Sequence, residues 1–524
     1  MIKALTYSWC LLLMLGFCSA CTPDSCNLEQ HRPAYHVTPP SQWMNDPNGM
    51  VYYDGEYHLF YQHYPDSNVW GPMHWGHAVS TDLLHWKHLP IALYPDSLGY
   101  IFSGSAVVDS NNTSGFGRDG KVPLVAIFTH HHAGLEKQQA QDFQYQSIAY
   151  SLDKGRTWTK YSGNPVIPNE RATRDFRDPK VFWHEPTQRW IMVFAAYDHV
   201  QLWGSPDLKQ WTFLSDFGQA WGAHTGVWEC PDLFELPVEN SKETRWVMLV
   251  SINPGAPNGG SGTQYFVGEF DGSRFTPDTD FVPKISAGKA VWLDYGRDNY
   301  AGVTWSDIPA TDGRRIMMGW MSNWDYAQLV PTYTWRSAMT LPRALTLHST
   351  PNGYQLFSFP VTETTKLRTG PGKSISGLSI NGEKELISNQ SLLELQLTID
   401  LKQSTASQFG LEFSNDLGER YRLGFDKRSN NFFSDRTRSG SGTFSEKFAD
   451  KLHEAPRILR NDTLQWSIFL DYASAESFAD QGSVVLTDIF FPSAPFHRVT
   501  VFSAGGQLII SSGNIYSLKT ICRH

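Results

Sequence analysis

Apolar residues in this chain come in short runs rather than long periodic stretches, and many of the runs alternate with polar residues in steps of two. Leu392-Leu393-Glu394-Leu395-Gln396-Leu397 and Trp466-Ser467-Ile468-Phe469-Leu470-Asp471 show that alternation, the pattern of strands with one face buried. Met50-Val51-Tyr52-Tyr53 follows a cluster of turn-forming residues and reads as a strand entered from a tight turn. Many short strands joined by turns predict an all-β protein.

The turns themselves repeat. Ser80-Thr81-Asp82-Leu83-Leu84-His85-Trp86, Ser151-Leu152-Asp153-Lys154-Gly155-Arg156-Thr157-Trp158, Ser205-Pro206-Asp207-Leu208-Lys209-Gln210-Trp211 and Phe270-Asp271-Gly272-Ser273-Arg274-Phe275 each follow a strand-like run and pair an aspartate with a later aromatic residue. A unit of about sixty residues fits about five times between positions 33 and 345. That is the signature of a propeller of four-stranded blades, because one blade cannot bury both its faces alone. From about residue 370 tryptophan becomes rare and alternating strands dominate, which predicts a separate antiparallel sandwich over 370–524. Residues 346–369, including Thr350-Pro351-Asn352-Gly353-Tyr354, are expected to connect the two.

Composition agrees with this reading. The 524 residues include 42 Gly, 30 Pro, 19 Trp, 22 Tyr and 31 Phe, more turn formers and aromatics than a helical protein needs. The formal charge of −9 is spread without basic blocks, which argues against nucleic acid or an acidic membrane as partner. Residues 1–20 carry Lys3, an apolar stretch from Trp9 to Phe17, and Ser19-Ala20. They read as a secretory signal too short to span a bilayer. Cys18-Ser19-Ala20-Cys21 resembles a lipoprotein processing site, so a lipid anchor through Cys21 and free secretion both stay open. The remaining Cys26, Cys230 and Cys522 are too scattered for a disulfide framework. Sequons at Asn111, Asn112, Asn389 and Asn461 mark expected surface loops.

Three acidic segments carry the chemistry. Asn45-Asp46-Pro47-Asn48-Gly49 is a turn sequence, with Pro47 fixing one backbone angle and Gly49 free to take a positive one. Its flanks, Trp43-Met44 and Met50 to Tyr53, would place Asp46 at the inner start of a blade, beside the propeller axis. Glu229 lies between Trp228 and Cys230-Pro231, apolar neighbours that disfavour a charged carboxylate, as a proton donor requires, or alternatively it pairs with a nearby arginine. Arg177-Asp178 supplies a guanidinium and a carboxylate that together suit adjacent sugar hydroxyls, or alternatively form a structural ion pair. Two carboxylates of unequal character in a sugar-suited pocket imply glycoside hydrolysis, retaining if roughly 5 to 5.5 Å apart and inverting if about 6.5 to 9.5 Å apart. His130-His131-His132 is not expected to hold a metal, since three consecutive histidines cannot face one ion from a strand. A loop at the mouth of the site, touching the leaving group, is the better reading.

At these residues the chain resembles glycoside hydrolase family 32, the β-fructofuranosidases that include invertases, exo-inulinases and levanases. Further matches are Tyr61-Gln62, Trp70-Gly71, Trp75-Gly76-His77, Phe102-Ser103-Gly104-Ser105-Ala106, Gly262 to Gly268, Gly319 to Trp324 and Trp335-Arg336. The resemblance implies a five-bladed propeller over 33–345 with a funnel-shaped site, followed by a β-sandwich. It implies Asp46 as nucleophile, Glu229 as acid and base, and Asp178 as a stabiliser of the oxocarbenium-like transition state, oriented by Arg177. Asn45, Gln62, Trp70, Ser103 and Trp324 would form the fructose pocket, with Phe102 and Asn48 close by. No metal or other cofactor is implied, and the partner would be sucrose or a fructan met outside the cytoplasm, either in solution or at the outer surface or periplasm. A fructosyltransferase shares the same acidic trio and is the alternative within chemistry. A fructan-binding surface protein without catalysis is the alternative outside it. In the sandwich, Asp435 to Gly440 matches the family, whereas Asp471-Tyr472-Ala473-Ser474-Ala475-Glu476-Ser477-Phe478 replaces the family's usual valines with small or polar residues. The packing of that strand is therefore in question.

Overall fold

A computed structural model describes residues 29–521. The expected leader at 1–20, the expected lipidation site Cys21, and Cys26 and Cys522 lie outside the described residues. The fold is almost entirely β. Five antiparallel sheets of four main strands each form a five-bladed propeller, and a ten-stranded sheet folds into a sandwich-like C-terminal unit.

The innermost strands of the blades are Gln42–Tyr53, Tyr100–Val108, Phe176–His184, Val227–Pro237 and Tyr300–Thr304. Each is the first strand of its blade in the chain, and each contacts the innermost strand on either side of it around the ring. The ring is closed by Trp335–Arg336, which leaves the fifth blade to pair in parallel with Gln42 and Trp43, while Ala338–Met339 pairs back onto Met321 and Trp320. Aromatics fill the gaps between blades. Trp305 of the fifth blade stacks on Trp86 of the first at 6.2 Å and donates its indole N–H to the His58 carbonyl at 2.9 Å.

The repeated turns occupy equivalent places, between the third and fourth strands of the first four blades. Asp82 and Asp207 each accept backbone N–H groups two and three residues on, and Asp153 accepts that of Thr157. The following indole then donates to a carbonyl three residues back, Trp86 to Leu83, Trp158 to Gly155 and Trp211 to Leu208, each at 3.0 Å. The aspartate thus satisfies the turn's backbone while the ring covers it. The fifth blade corrects the expected connector at 346–369. Arg343–Thr350 and Gly353–Pro360 pair with each other and complete that blade's sheet, so the propeller runs beyond 345 to Pro360. The turn Thr350 to Gly353 had the composition of a linker because a tight hairpin needs the same residues.

In the C-terminal unit, Arg498–Ser517 pairs along Gln408–Ser414 with its first half and along Leu393–Asp400 with its second. Gly505 at φ 69 and Gly506 at φ 143 lie between those halves, where a left-handed backbone lets one strand turn from one layer into the other. Leu395, Leu397, Phe409, Leu411, Leu423 and Trp466 fill the space between. This unit is not separate from the propeller. Arg343 bonds Glu476 through Nε at 3.1 Å and Asp294 at 2.9 Å, and His36 lies between Asp471 at 2.7 Å and Glu476 at 2.8 Å. The strand Ser474–Ala479, whose packing its sequence left in question, is buried throughout and paired on both sides. Its small residues let a fully buried Glu476 reach across to the propeller.

Candidate active site

Every innermost strand slips register by one residue near its start. The slips fall between Met44 and Pro47, Ile101 and Gly104, Arg177 and Lys180, Glu229 and Asp232, and Tyr300 and Val303. An extra residue re-aims the side chains around it. In a regular strand neighbours point to opposite faces, yet Asn45 with Asp46, Phe102 with Ser103, and Arg177 with Asp178 line one cavity as consecutive pairs. Asp178 at φ 66, Cys230 at φ 44 and Ala301 at φ 52 take left-handed backbone at these slips, a local strain typical of functional sites. The Asn-Asp-Pro-Asn-Gly segment is therefore not a turn between strands but a doubly bulged stretch within one. Gly49 takes φ 55 as expected.

The cavity has a volume of about 280 Å³ and is lined by Asp46, Asp178 and Glu229 together with Asn45, Gln62, Trp70, Phe102, Ser103, Arg177 and Trp324. Asp46 accepts hydrogen bonds from Asn45 at 3.0 Å and Ser103 at 2.8 Å. The Asn45 amide is itself oriented by the Trp43 indole at 2.7 Å. Burial, and then the charge of Glu229, push the Asp46 carboxyl above the usual carboxylate range against those two bonds. Asp178 is raised to about 7, chiefly by burial and further by the charges of Glu229 and Asp46, with Arg177 and the Cys230 N–H acting the other way. Its carboxylate accepts that N–H at 3.1 Å.

Of the two readings of Glu229, the structure has the pairing with an arginine and not the apolar setting. Strand alternation turns Trp228 away, stacked on His224 at 5.2 Å, and Glu229 instead accepts from Arg177 at 2.8 Å and from the Tyr300 hydroxyl. Arg177 also pairs with Asp175 and lies 3.8 Å from Asp178. One guanidinium thus holds three carboxylates in fixed relation. The Cys230 thiol, 3.6 Å from both Asp46 and Asp178, is pushed well up by burial and by those carboxylates, so it stands as a neutral spacer.

Asn48 does not line the cavity, contrary to its expected place in the sugar pocket. It is fully buried behind Asp46, its amide turned toward the Asp46 carbonyl at 3.4 Å. Trp324 stacks on Trp43 at 6.0 Å, and Gln62 is held by the Ile101 carbonyl at 3.1 Å. The lining also includes His131, from the triplet expected at the mouth of the site, and Glu136, Gln144, Asp175 and Gln328, which nothing in the sequence marks for the pocket. His130 and His131 end the strand Leu124–His131, and His132 caps the short helix Ala133–Lys137, so the histidine triplet is not a loop as expected. His130 turns inward to Ser147 at 2.8 Å, whereas His131 stacks on Phe102 at 4.3 Å and faces Glu136 at 3.2 Å. Among the described residues no group of acidic, histidine or cysteine side chains is arranged to hold a metal. Tyr300 was missed because nothing local marks it. Its signal is positional, as the opening residue of the fifth innermost strand.

Acidic side chains brought to a propeller axis beside hydroxyl, amide and indole groups define a glycoside hydrolase, and sequence comparison agrees. The chain belongs to glycosyl hydrolase family 32: the family's N-terminal domain matches residues 36–360 and its C-terminal domain residues 363–517. It is 48% identical over 515 residues to a levanase of Bacillus subtilis, covering 98% of this chain and 74% of that protein. It is 40% identical over 518 residues to an extracellular exo-inulinase of Aspergillus awamori, covering 94% and 95%. The crystal structure of exo-inulinase from Aspergillus awamori superposes with a TM-score of 0.86 at 37% identity, covering 94% of this chain and 99% of that one. A fructofuranosidase from Schwanniomyces occidentalis complexed with fructose gives 0.83 at 33% identity, covering 94% and 99%.

Proposed function

We propose that the protein is a retaining, exo-acting β-fructofuranosidase that removes terminal fructosyl units from sucrose or fructans. The observation that carries this reading is the meeting of Asp46, Asp178 and Glu229 in one small cavity lined by neutral hydrogen-bonding groups and indoles. Asp46 attacks the anomeric C2 of the terminal fructosyl unit while Glu229 gives its proton to the departing oxygen, leaving a fructosyl ester on Asp46. Glu229, now ionised, takes a proton from water, whose oxygen attacks C2, frees fructose and restores the Asp46 carboxylate. Asp178 holds hydroxyls of the flattened, charge-bearing ring, and Arg177 fixes it relative to Glu229. A cavity this small admits a chain end rather than a chain middle, which supports exo action.

The leader at 1–20 and the extracellular relatives support export, with Cys21 open to lipidation. The propeller is the catalytic unit and the sandwich its buttress. The decisive test compares leaving groups. Glu229→Ala should abolish turnover of sucrose while sparing a fructoside with a good leaving group, because protonation matters less there. Equal loss on both would remove Glu229 from the acid role. NMR at early times should show β-fructose first, and α-fructose first would sink retention. Predominance of transfer oligosaccharides at high sucrose would make the enzyme a transferase instead.

A further inference from the structure

One sector of the cavity rim is apolar, exposed and unusually well fixed. Trp70 lines the cavity and is 36% exposed, Leu329 is 55% exposed and Tyr333 is 80% exposed. Single exposed apolar residues are ordinary on protein surfaces. These are not scattered. Gln328, next to Leu329, also lines the cavity, and Asn68, two residues before Trp70, donates to the carbonyls of Thr332 at 3.2 Å and Tyr333 at 2.9 Å. The two rim loops are thereby tied together.

A second device fixes the loop from beneath. The Arg336 guanidinium donates to the carbonyls of Gln328, Val330 and Thr332, so one buried side chain satisfies three backbone acceptors of a single short segment. Rigidity in an exposed apolar segment lowers the ordering cost of binding something there. Elsewhere the lining is of another kind, with His131, Glu136, Gln144 and Asp175.

We propose that Leu329 and Tyr333, on the segment that Asn68 ties to the Trp70 loop, form a platform for the part of a β-fructan chain that lies outside the cavity. The proposal rests on the β-fructofuranosidase reading above. At about 280 Å³ the cavity lies at the small end of ligand sites, which run from about 300 to 1,000 Å³, so a polymer held by its end must leave over the rim. Fructosyl units present C–H and methylene faces between their hydroxyls, and those faces are what a phenol ring and an isobutyl group contact. The polar lining residues would meet the first departing sugar through hydrogen bonds. The platform would add affinity only for chains long enough to reach it.

The test compares Leu329→Ala, Tyr333→Ala and the double variant with the parent enzyme on sucrose, inulin and levan. We expect kcat/KM on at least one polymer to fall about three- to tenfold, mostly through KM, with sucrose unchanged. The polymer affected, β-2,1-linked or β-2,6-linked, identifies the chain that crosses this sector. Equal loss on sucrose and both polymers, or no loss on either polymer, overturns the platform while leaving the hydrolase reading intact. Absence of turnover on every fructoside by the parent enzyme would instead refute that reading. Sedimentation of the same variants covers the other occupant. A shift from dimer to monomer with unchanged polymer kinetics would assign the patch to a second copy of this chain and reject the platform.

Discussion

Two clusters of buried charge in this molecule use the same residue types to opposite ends. At the junction of propeller and sandwich, Asp294, Asp471 and Glu476 face Arg343 and His36, and each acid has a directed partner. The result is settled charge: Glu476, penalised by burial, is nevertheless held below its ordinary value by Arg343 and His36. His36 is raised to about 9 by those two acids against burial. On the propeller axis, Asp175, Asp178 and Glu229 share the guanidinium of Arg177, while Asp46 beside them is held by the neutral Asn45 and Ser103. There Asp46 and Asp178 are pushed up rather than down. Matched buried charge builds structure, and unmatched buried charge is kept for chemistry.

The largest effect should come from the unmatched cluster. Asp46→Asn should lower kcat/KM by about 10⁴-fold, measured on sucrose, by removing the proposed nucleophile. Asp178→Asn gives the sharper contrast. Its folded carboxyl titrates at about 7, above its unfolded value of 3.8, so the wild type loses stability as pH rises between those two values. The variant should melt higher than wild type at about pH 8 and equally at about pH 3, while losing activity. A lower melting point at the higher pH would show that Asp178 is paid for by its partners after all.

The matched cluster should behave in reverse. Arg343→Met leaves Glu476 and Asp294 buried without their guanidinium, and should cost about 3 to 5 kcal/mol in denaturant unfolding, with turnover per folded molecule unchanged. His36, raised from 6.5 to about 9, contributes stability that is complete below its unfolded value and is lost as pH rises through about 9. Wild type should therefore lose up to ~3 kcal/mol across that window relative to His36→Gln. Parallel curves for the two would remove the imidazolium from the clamp. The smallest effect tests the edge of the active cluster. Tyr300→Phe deletes one of two donors to Glu229, worth about 1.5 kcal/mol or more, and should lower kcat roughly tenfold with little change in melting temperature.

Much of the fold was legible because strands and turns announce themselves locally. Three Asp-to-Trp turns and one ending in Phe275 marked four blades, and the regular hydrogen bonding of the aspartates explains why that signal repeats. The fifth blade was misjudged at its outer hairpin, since Thr350-Pro351-Asn352-Gly353 carries no information about which sheet its flanking strands join. In the site, Asp46, Asp178 and Glu229 were legible from unusual company in the chain. Glu229's surroundings were legible only in part: pairing with an arginine was one of two readings, but strand alternation, which sends Trp228 to the opposite side, and the neighbouring blades decide that the partners are Arg177 and Tyr300. Asn48 was misplaced for a related reason: the bulges that aim Asn45 and Asp46 at the cavity turn it behind them.

The amino-acid sequence alone determined the all-β class, the propeller and sandwich order, and the three acids on which the chemistry is proposed to rest. These follow from periodicity, turn chemistry and short motifs, all of them properties of neighbours along the chain. Only the tertiary structure decided that five register slips converge on one axis, that a lone guanidinium is shared among the acids, and that the sandwich is clamped through buried Arg343. Those are relations between segments far apart in sequence, and a buried charge acquires its meaning from what surrounds it in space.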